Sequence, residues 1–222
     1  MLQYGHMLAV PLVQQPHKST ECGVASVAMV LSYYKIPYDY EVLRTEIVAK
    51  EWGTAMPQLG LYLLDKGFSV EIVTVHPSLF AVGSHFSDSQ ALIDHFRLLE
   101  PTLLEPHNSI TLQYFIQFVE HGGRVTPRVP VKQDIVDEIA ANRPLIAPLS
   151  HCFLFETGKM PRFCGHYNVI TGIDHEYVYV NDPDWETPFG GQHTHRIEDY
   201  IYAMYAGASR AIDNASLMKI TR

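Results

Sequence analysis

An α+β fold is predicted by three features of this chain. Residues 22–66 carry apolar side chains at helical intervals, whereas residues 144–182 carry short apolar runs of the length and composition of strands. No repeat, low-complexity tract or linker separates the two regimes. At 222 residues, 47% of them hydrophobic and 18% charged, the chain can bury a sizeable core and is predicted to form one domain over residues 1–222.

The elements follow in order. Residues 9–13 form a short apolar strand candidate that runs into a polar loop, closed by Glu21-Cys22-Gly23. From Cys22 to about Tyr34, the residues Val24, Val27, Ala28, Val30, Leu31 and Tyr34 recur at helical spacing, with small Ala25 and Ser26 near the start, so a tightly packed buried helix is predicted. Pro37 stops it. Residues 39–50 and 56–66 read as amphipathic helices, the second closed by Gly67 and followed by an alternating strand over 68–74. A largely helical embellishment near the active-site cleft is predicted around residues 76–129, with helices at 87–99 and 109–120. Beyond it lie a helix at 132–141, a strand at 144–149, an antiparallel strand pair at 166–173 and 177–182, a helix at 196–205 and an edge strand at 215–220.

Composition excludes some classes. Sixteen Lys and Arg against 24 Asp and Glu leave a net charge of −8, the wrong sign for a protein that tracks phosphates, so no nucleic-acid partner is predicted. No apolar run reaches the ~18 residues of a membrane span, and the N-terminus lacks the pattern of a signal peptide. Three cysteines, Cys22, Cys152 and Cys164, cannot all pair, and reduced thiols in a cytoplasmic setting are the expectation.

The chemistry is carried by residues far apart in sequence. Cys22 sits where a polar loop meets a helix, so free N–H groups and the helix dipole favour a nucleophilic sulfur; a small residue opening a buried helix is the plainer reading. His166 is a polar residue at the mouth of an apolar strand, and the second strand of the pair ends in Asp182-Pro183. A tight turn near His175 brings Asp182 beside His166, where a carboxylate orients an imidazole.

Two segments are recognisable. Gln15…Glu21-Cys22-Gly23 through Tyr34 resembles the nucleophile segment of the bacteriocin-processing, double-glycine leader peptidases and their stand-alone relatives. His166-Tyr167-Asn168-Val169-Ile170 through Asn181-Asp182-Pro183 resembles their His and Asp segment, and the same pattern is similar to the guanylyl cyclase domain-containing proteins of plants and animals. The resemblance covers residues 10–37 and 144–183, and implies a papain-like α+β fold: a helical half, a twisted antiparallel sheet and an active site in the cleft between them. It implies a cysteine peptidase or hydrolase with a Cys22–His166–Asp182 triad acting on a peptide or protein substrate, with no metal or organic cofactor. It also implies a glutamine that donates to the oxyanion with the Cys22 N–H; Gln15 is the match, in a loop one residue longer than the usual pattern, and Gln14 is also available.

Lesser candidates complete the reading. Gly23, Phe163, Gly165 and Trp185 are possible substrate contacts, with Trp185 also a possible lid over the His–Asp pair. His151-Cys152 and Cys164-Gly165-His166 lie close enough in sequence to suggest zinc but lack paired ligand spacing, and His193-Thr194-His195 reads as a polar surface turn. No Walker-type or dinucleotide glycine fingerprint is present to support nucleotide chemistry. A thiol acyltransferase or peptide ligase on the same triad, and a non-catalytic binding module on the same scaffold, are the alternatives.

Overall fold

The helix that opens at Cys22 is apolar on every side, and the computed structural model of the chain buries it accordingly. This helix, α1 (Cys22–Tyr33), has every residue from Cys22 to Leu31 buried. The structure describes residues 6–103, 105–155, 165–186, 188–206 and 211–222. One side of α1 meets the sheet, and its other contacts are with α2 (Tyr40–Glu46) and α3 (Met56–Asp65). The approach is closest at Gly23, where a Cβ would come within 2.1 Å of Thr54 Oγ1 and 3.0 Å of Leu59. Gly23 thus serves the packing of α1 onto the loop before α3.

Among the described residues, eight strands form one sheet in the order β3 (Arg124–Pro127), β2 (Ser69–Thr74), β8 (Ser216–Thr221), β4 (Leu145–Ser150), β5 (Gly165–Ile173), β6 (Tyr177–Asp182) and β7 (Gly191–Arg196), with β1 (His6–Met7) on β5. All pairs are antiparallel except β2 with β3. The sheet is therefore mixed, not purely antiparallel as expected from sequence. The reason is the crossover through α4 (Ser89–Leu99) and α5 (Pro106–Glu120), which returns the chain to the same end of the sheet before β3 begins.

The β5–β6 pairing carries an irregularity. Ile173 and Gly172 face Val178 and Tyr179, then the register slips, so that Ile170 and Val169 face Val180 and Asn181. Thr171 is the extra residue, held from outside the pair by the Leu8 N–H, which donates to its carbonyl at 2.7 Å, and from within it by its own hydroxyl, which donates to the Tyr179 carbonyl at 3.2 Å. The neighbouring Gly172 is needed because a Cβ there would lie 2.8 Å from the His6 carbonyl.

The middle of the chain enters the core. Leu112, Phe115 and Phe118 of α5 are fully buried and belong to the main apolar cluster. Phe118 lies against two glycines, Gly60 of α3 and Gly123 before β3, where added Cβ atoms would approach its ring to 2.7 and 2.4 Å.

Three expectations are corrected. Residues 9–13 form no strand: Pro11 has no N–H to give a ladder, and the segment is pinned instead by Asn181 Nδ2 donating to the Val10 carbonyl at 2.9 Å. His193-Thr194-His195 is not a turn but the centre of β7, paired with Val178–Val180. Cys152 is disulfide-bonded, against the expectation of reduced thiols, since an odd count of three excludes only that all of them pair. Cys22 is the free cysteine among the described residues, and Phe163 and Cys164 lie outside them. No helix among the described residues is long and apolar enough to cross a membrane.

Candidate active site

Cys22 is the first residue of α1, and the residue is 8% exposed. Glu21, at the N-cap, gives no side-chain hydrogen bond to the helix, because its carboxylate is drawn away into an ion pair with Arg44 and a bond from the Tyr40 hydroxyl. The first-turn N–H groups are left uncapped by a side chain, and the positive end of the helix dipole lies under Cys22. Lower down, the Ser26 hydroxyl donates to the Cys22 carbonyl at 2.8 Å and fixes the turn.

His166 projects from β5 toward this helix end, between β4 and β6. Its Nε2 lies 2.7 Å from Asp182 Oδ1, and the same oxygen accepts the Asp184 N–H at 2.9 Å. Continuing the Val169–Asn181 pairing sets Asp182 across from Asn168, one diagonal step from His166 on the same face of the sheet. Nε2 is thus committed to Asp182, and the Cys22 thiol is the other titratable neighbour of the ring.

Electrostatics reinforce the pair. Burial alone would lower the pKa of His166, but the Asp182 carboxylate, its hydrogen bond and the neighbouring Cys22 hold it well above the ordinary value of 6.5. Burial pushes Asp182 up, yet the His166 charge and hydrogen bond, with His151 and the Asp184 N–H, hold it below 3.8. The sign of the linkage follows. A raised imidazole contributes stability that is complete below about pH 6.5 and is lost as pH rises through its folded value, while a lowered carboxyl contributes above about pH 4. The thermal stability advantage of the wild type over His166→Gln is expected to be largest between those limits and to shrink at higher pH; melting curves from pH 4 to 9 check this, and an advantage that grows with pH contradicts it.

A cavity of about 280 Å³ opens beside the pair, lined by Gln15, Cys22, Trp52, Thr54, Gly165, His166, Tyr167 and Asp213 among others. Gln15 is buried and doubly anchored: its N–H donates to the Pro183 carbonyl at 2.7 Å and its Nε2 to the Ser19 carbonyl at 2.8 Å. One Nε2 hydrogen remains, and the first anchor ties the Gln15 loop directly to the residue after Asp182. Gly165 is at the cavity wall; Gly23 is not among the lining residues, and Trp185 packs its ring 3.7 Å from that of His17.

The opposite wall was not read from the sequence. Asp213 Oδ2 accepts from the Met56 N–H and the Tyr167 hydroxyl, both at 2.7 Å, so it stands in for a cap on α3. Burial pushes its carboxyl above 3.8. Thr54 Oγ1 and Gln15 Oε1 are buried without a hydrogen-bond partner among the described residues. Polar residues in a loop such as 51–55 carry no periodic signal, and their shared cavity exists only once α1, α3 and β5 are assembled.

His151, which the sequence offered only as a zinc candidate beside Cys152, was not read as a neighbour of the His166–Asp182 pair. It follows directly on β4, whose Leu149 and Ser150 pair with His166 and Gly165, so the register brings the two imidazoles to one sheet end. Their ring centroids are 4.6 Å apart, and His151 Nε2 is 3.7 Å from Asp182 Oδ2. Burial and the adjacent His166 push the pKa of His151 down to about 4, so it is neutral at pH 7.

No curated protein matches the chain significantly. Among solved structures, a double glycine motif protease from an AMS/PCAT transporter, in complex with the leader peptide, aligns with a TM-score of 0.50 at 15% identity, over 97% of this chain and 93% of that one. A C39-like peptidase from Bacillus anthracis aligns with a TM-score of 0.48 at 16% identity over 99% of both chains, and the peptidase domain of Streptococcus ComA with 0.48 at 14% over 96% and 98%. At such identity the first of these speaks to the fold alone: helices on a twisted mixed sheet, as in the papain-like peptidases. The family model described as Peptidase_C39 like family matches residues 7–209, and the chain belongs to that family.

Proposed function

We propose that this protein is a cysteine peptidase that cleaves a peptide or isopeptide amide through an acyl-enzyme on Cys22, as one domain over its whole length. The observation that carries the reading is the meeting of Cys22, at an uncapped helix N-terminus, with a buried His166–Asp182 pair in the wall of a cavity. His166 takes the thiol proton, and sulfur attacks the amide carbon. The developing oxyanion receives the Cys22 backbone N–H and the remaining Nε2 hydrogen of Gln15. His166 then protonates the leaving amine, and water, activated by the same ring, releases the acyl group. Asp182 keeps the imidazole in the tautomer that leaves Nδ1 facing sulfur. A peptide substrate is supported by the family and by the leader peptide bound to the double glycine motif protease.

The test is iodoacetamide alkylation at neutral pH, followed by peptide mass spectrometry. Cys22 is expected to react readily in the wild type and about 100-fold more slowly in His166→Ala, the scale of a lost general base. Equal rates in the two proteins would defeat the reading and leave a binding module on a peptidase scaffold. Gln15→Ala is expected to lower kcat by about 10²-fold with little change in KM, as the loss of one oxyanion donor does. A change confined to KM would assign Gln15 to substrate binding instead.

A further inference from the structure

The side of His166 turned away from Cys22 carries a second set of ligating atoms. His151 Nε2, His166 Nε2 and an Asp182 carboxylate oxygen all lie within 4.8 Å of one another. His151 Nε2 is buried, finds no hydrogen-bond partner among the described residues, and faces Asp182 Oδ2 across 3.7 Å. Buried polar atoms are ordinarily satisfied, and a ring nitrogen 3.7 Å from a carboxylate oxygen is placed to share a cation with it.

We propose that His151, His166 and Asp182 form a zinc site behind the cleft, and that a bound ion holds the Cys22–His166 pair inactive. Two imidazoles and one carboxylate are a donor set that zinc takes, with a fourth position left for water. Around a tetrahedral zinc with bonds of about 2.0–2.2 Å, donors stand roughly 3.4 Å apart. His166 and Asp182, at 2.7 Å, need to part slightly, and His151, at 3.7 Å from the other oxygen, needs to close slightly. Side-chain rotation accomplishes both. The rings of Phe155 and Phe189, centred 4.8 and 5.4 Å from that of His151, cover this side, and His151 is not part of the cavity wall. The ion thus has a place that a peptide in the cleft does not occupy.

Coordination at Nε2 uses the lone pair of that nitrogen, so the single proton of the neutral ring moves from Nε2 to Nδ1, with none released. With Nδ1 protonated, the ring has no lone pair with which to accept the proton of the thiol. The thiols themselves are not needed: Cys152 is disulfide-bonded, and Cys22 is not among the three clustered ligand residues. The inhibitory consequence rests on the proposed peptidase reading, whereas the binding does not.

Zinc chloride titrated calorimetrically into the full chain carrying Cys22→Ala separates the two. One zinc per chain is expected to bind without the nucleophilic sulfur, and cobalt in its place is expected to show visible absorption of a tetrahedral site. Adding His151→Phe, or His151→Gln as a gentler change, is expected to weaken zinc by more than about 100-fold, above the range lost with a mere outer-shell partner. Circular dichroism confirms that each variant is folded. Loss of binding in Cys22→Ala alone, a smaller effect of both His151 changes, or no binding by the wild type would each overturn the site. In the wild type, zinc is expected to suppress Cys22 alkylation at saturation and EDTA to restore it; a zinc-bound protein whose Cys22 never depended on His166 would instead count against the peptidase reading.

Discussion

Cys22→Ala is expected to abolish turnover: for any member of a random decapeptide library that the wild type cleaves, kcat/KM is expected to fall by at least about 10⁴-fold, the scale on which a nucleophile acts in covalent acyl transfer. The cavity, Gln15 and the His166–Asp182 pair are untouched by the change, so peptide binding persists while the acyl-enzyme cannot form. The cost to folding is small, because the sulfur stands at the edge of a cavity and its removal leaves no sealed void. The melting temperature is expected to move by no more than about 4 °C, the equivalent of about 1 kcal/mol in a chain of this size. Mass-spectrometric sequencing of the cleaved library reads the first expectation and calorimetry the second. Undiminished cleavage by the folded variant would place the activity elsewhere and remove the basis of the proposed mechanism.

Phe118→Ala produces the largest expected loss of stability. The ring is fully buried and sits in a slot made by two glycines, with Gly60 and Gly123 pressed to within contact distance by the absence of their own side chains. Backbone on both sides prevents collapse into the space left behind, so the cavity term is added to the lost transfer energy. A cost of about 3–5 kcal/mol is expected, and about 6–20 °C in melting temperature. A urea titration reads the difference, and a loss below about 1 kcal/mol would mean that α3, α5 and the start of β3 repack around the gap. Neither glycine tolerates Ala without displacing this ring, so Gly123→Ala tests the same contact from the other side.

Most of the helices were legible because their faces are uniform: α1 is apolar throughout its buried length, and α3 announces its start with Met56-Pro57 and its end with Gly67. The strands that were missed lack such uniformity. Gly191–Arg196 alternates half-buried with exposed polar residues, so no apolar face marks it, and it is a strand only because β6 offers an unpaired edge. Arg124–Pro127 is four residues long and owes its place to Ile72 and Val73 beside it. At the site, Cys22, His166 and Asp182 stood out as polar residues at the ends of apolar elements. Thr54 and Asp213 did not, and His151 was noted only as a zinc candidate beside Cys152, because each acquires its neighbours from a different part of the chain: His151 through the β4–β5 register, Thr54 by contact with Gly23, and Asp213 through Met56 and Tyr167. The disulfide state of Cys152 was equally out of reach, since spacing alone does not choose among three cysteines.

The single unpaired residue in β5 has a consequence for how the hairpin can vary. Residues that face one another across a ladder share a side of the sheet, so the side on which Asp182 emerges is a matter of parity. Had the pairing of Ile173 with Val178 and Gly172 with Tyr179 continued unbroken, Asp182 would oppose Val169 and point away from His166. Thr171 adds one count, and the carboxylate changes sides. Between His166 and the turn, this hairpin therefore tolerates insertions or deletions only in even numbers, and the N-terminal segment that grips Thr171 through Leu8 acts as the keeper of that count. The relation between base and acid is in this sense fixed arithmetically, by a residue that touches neither.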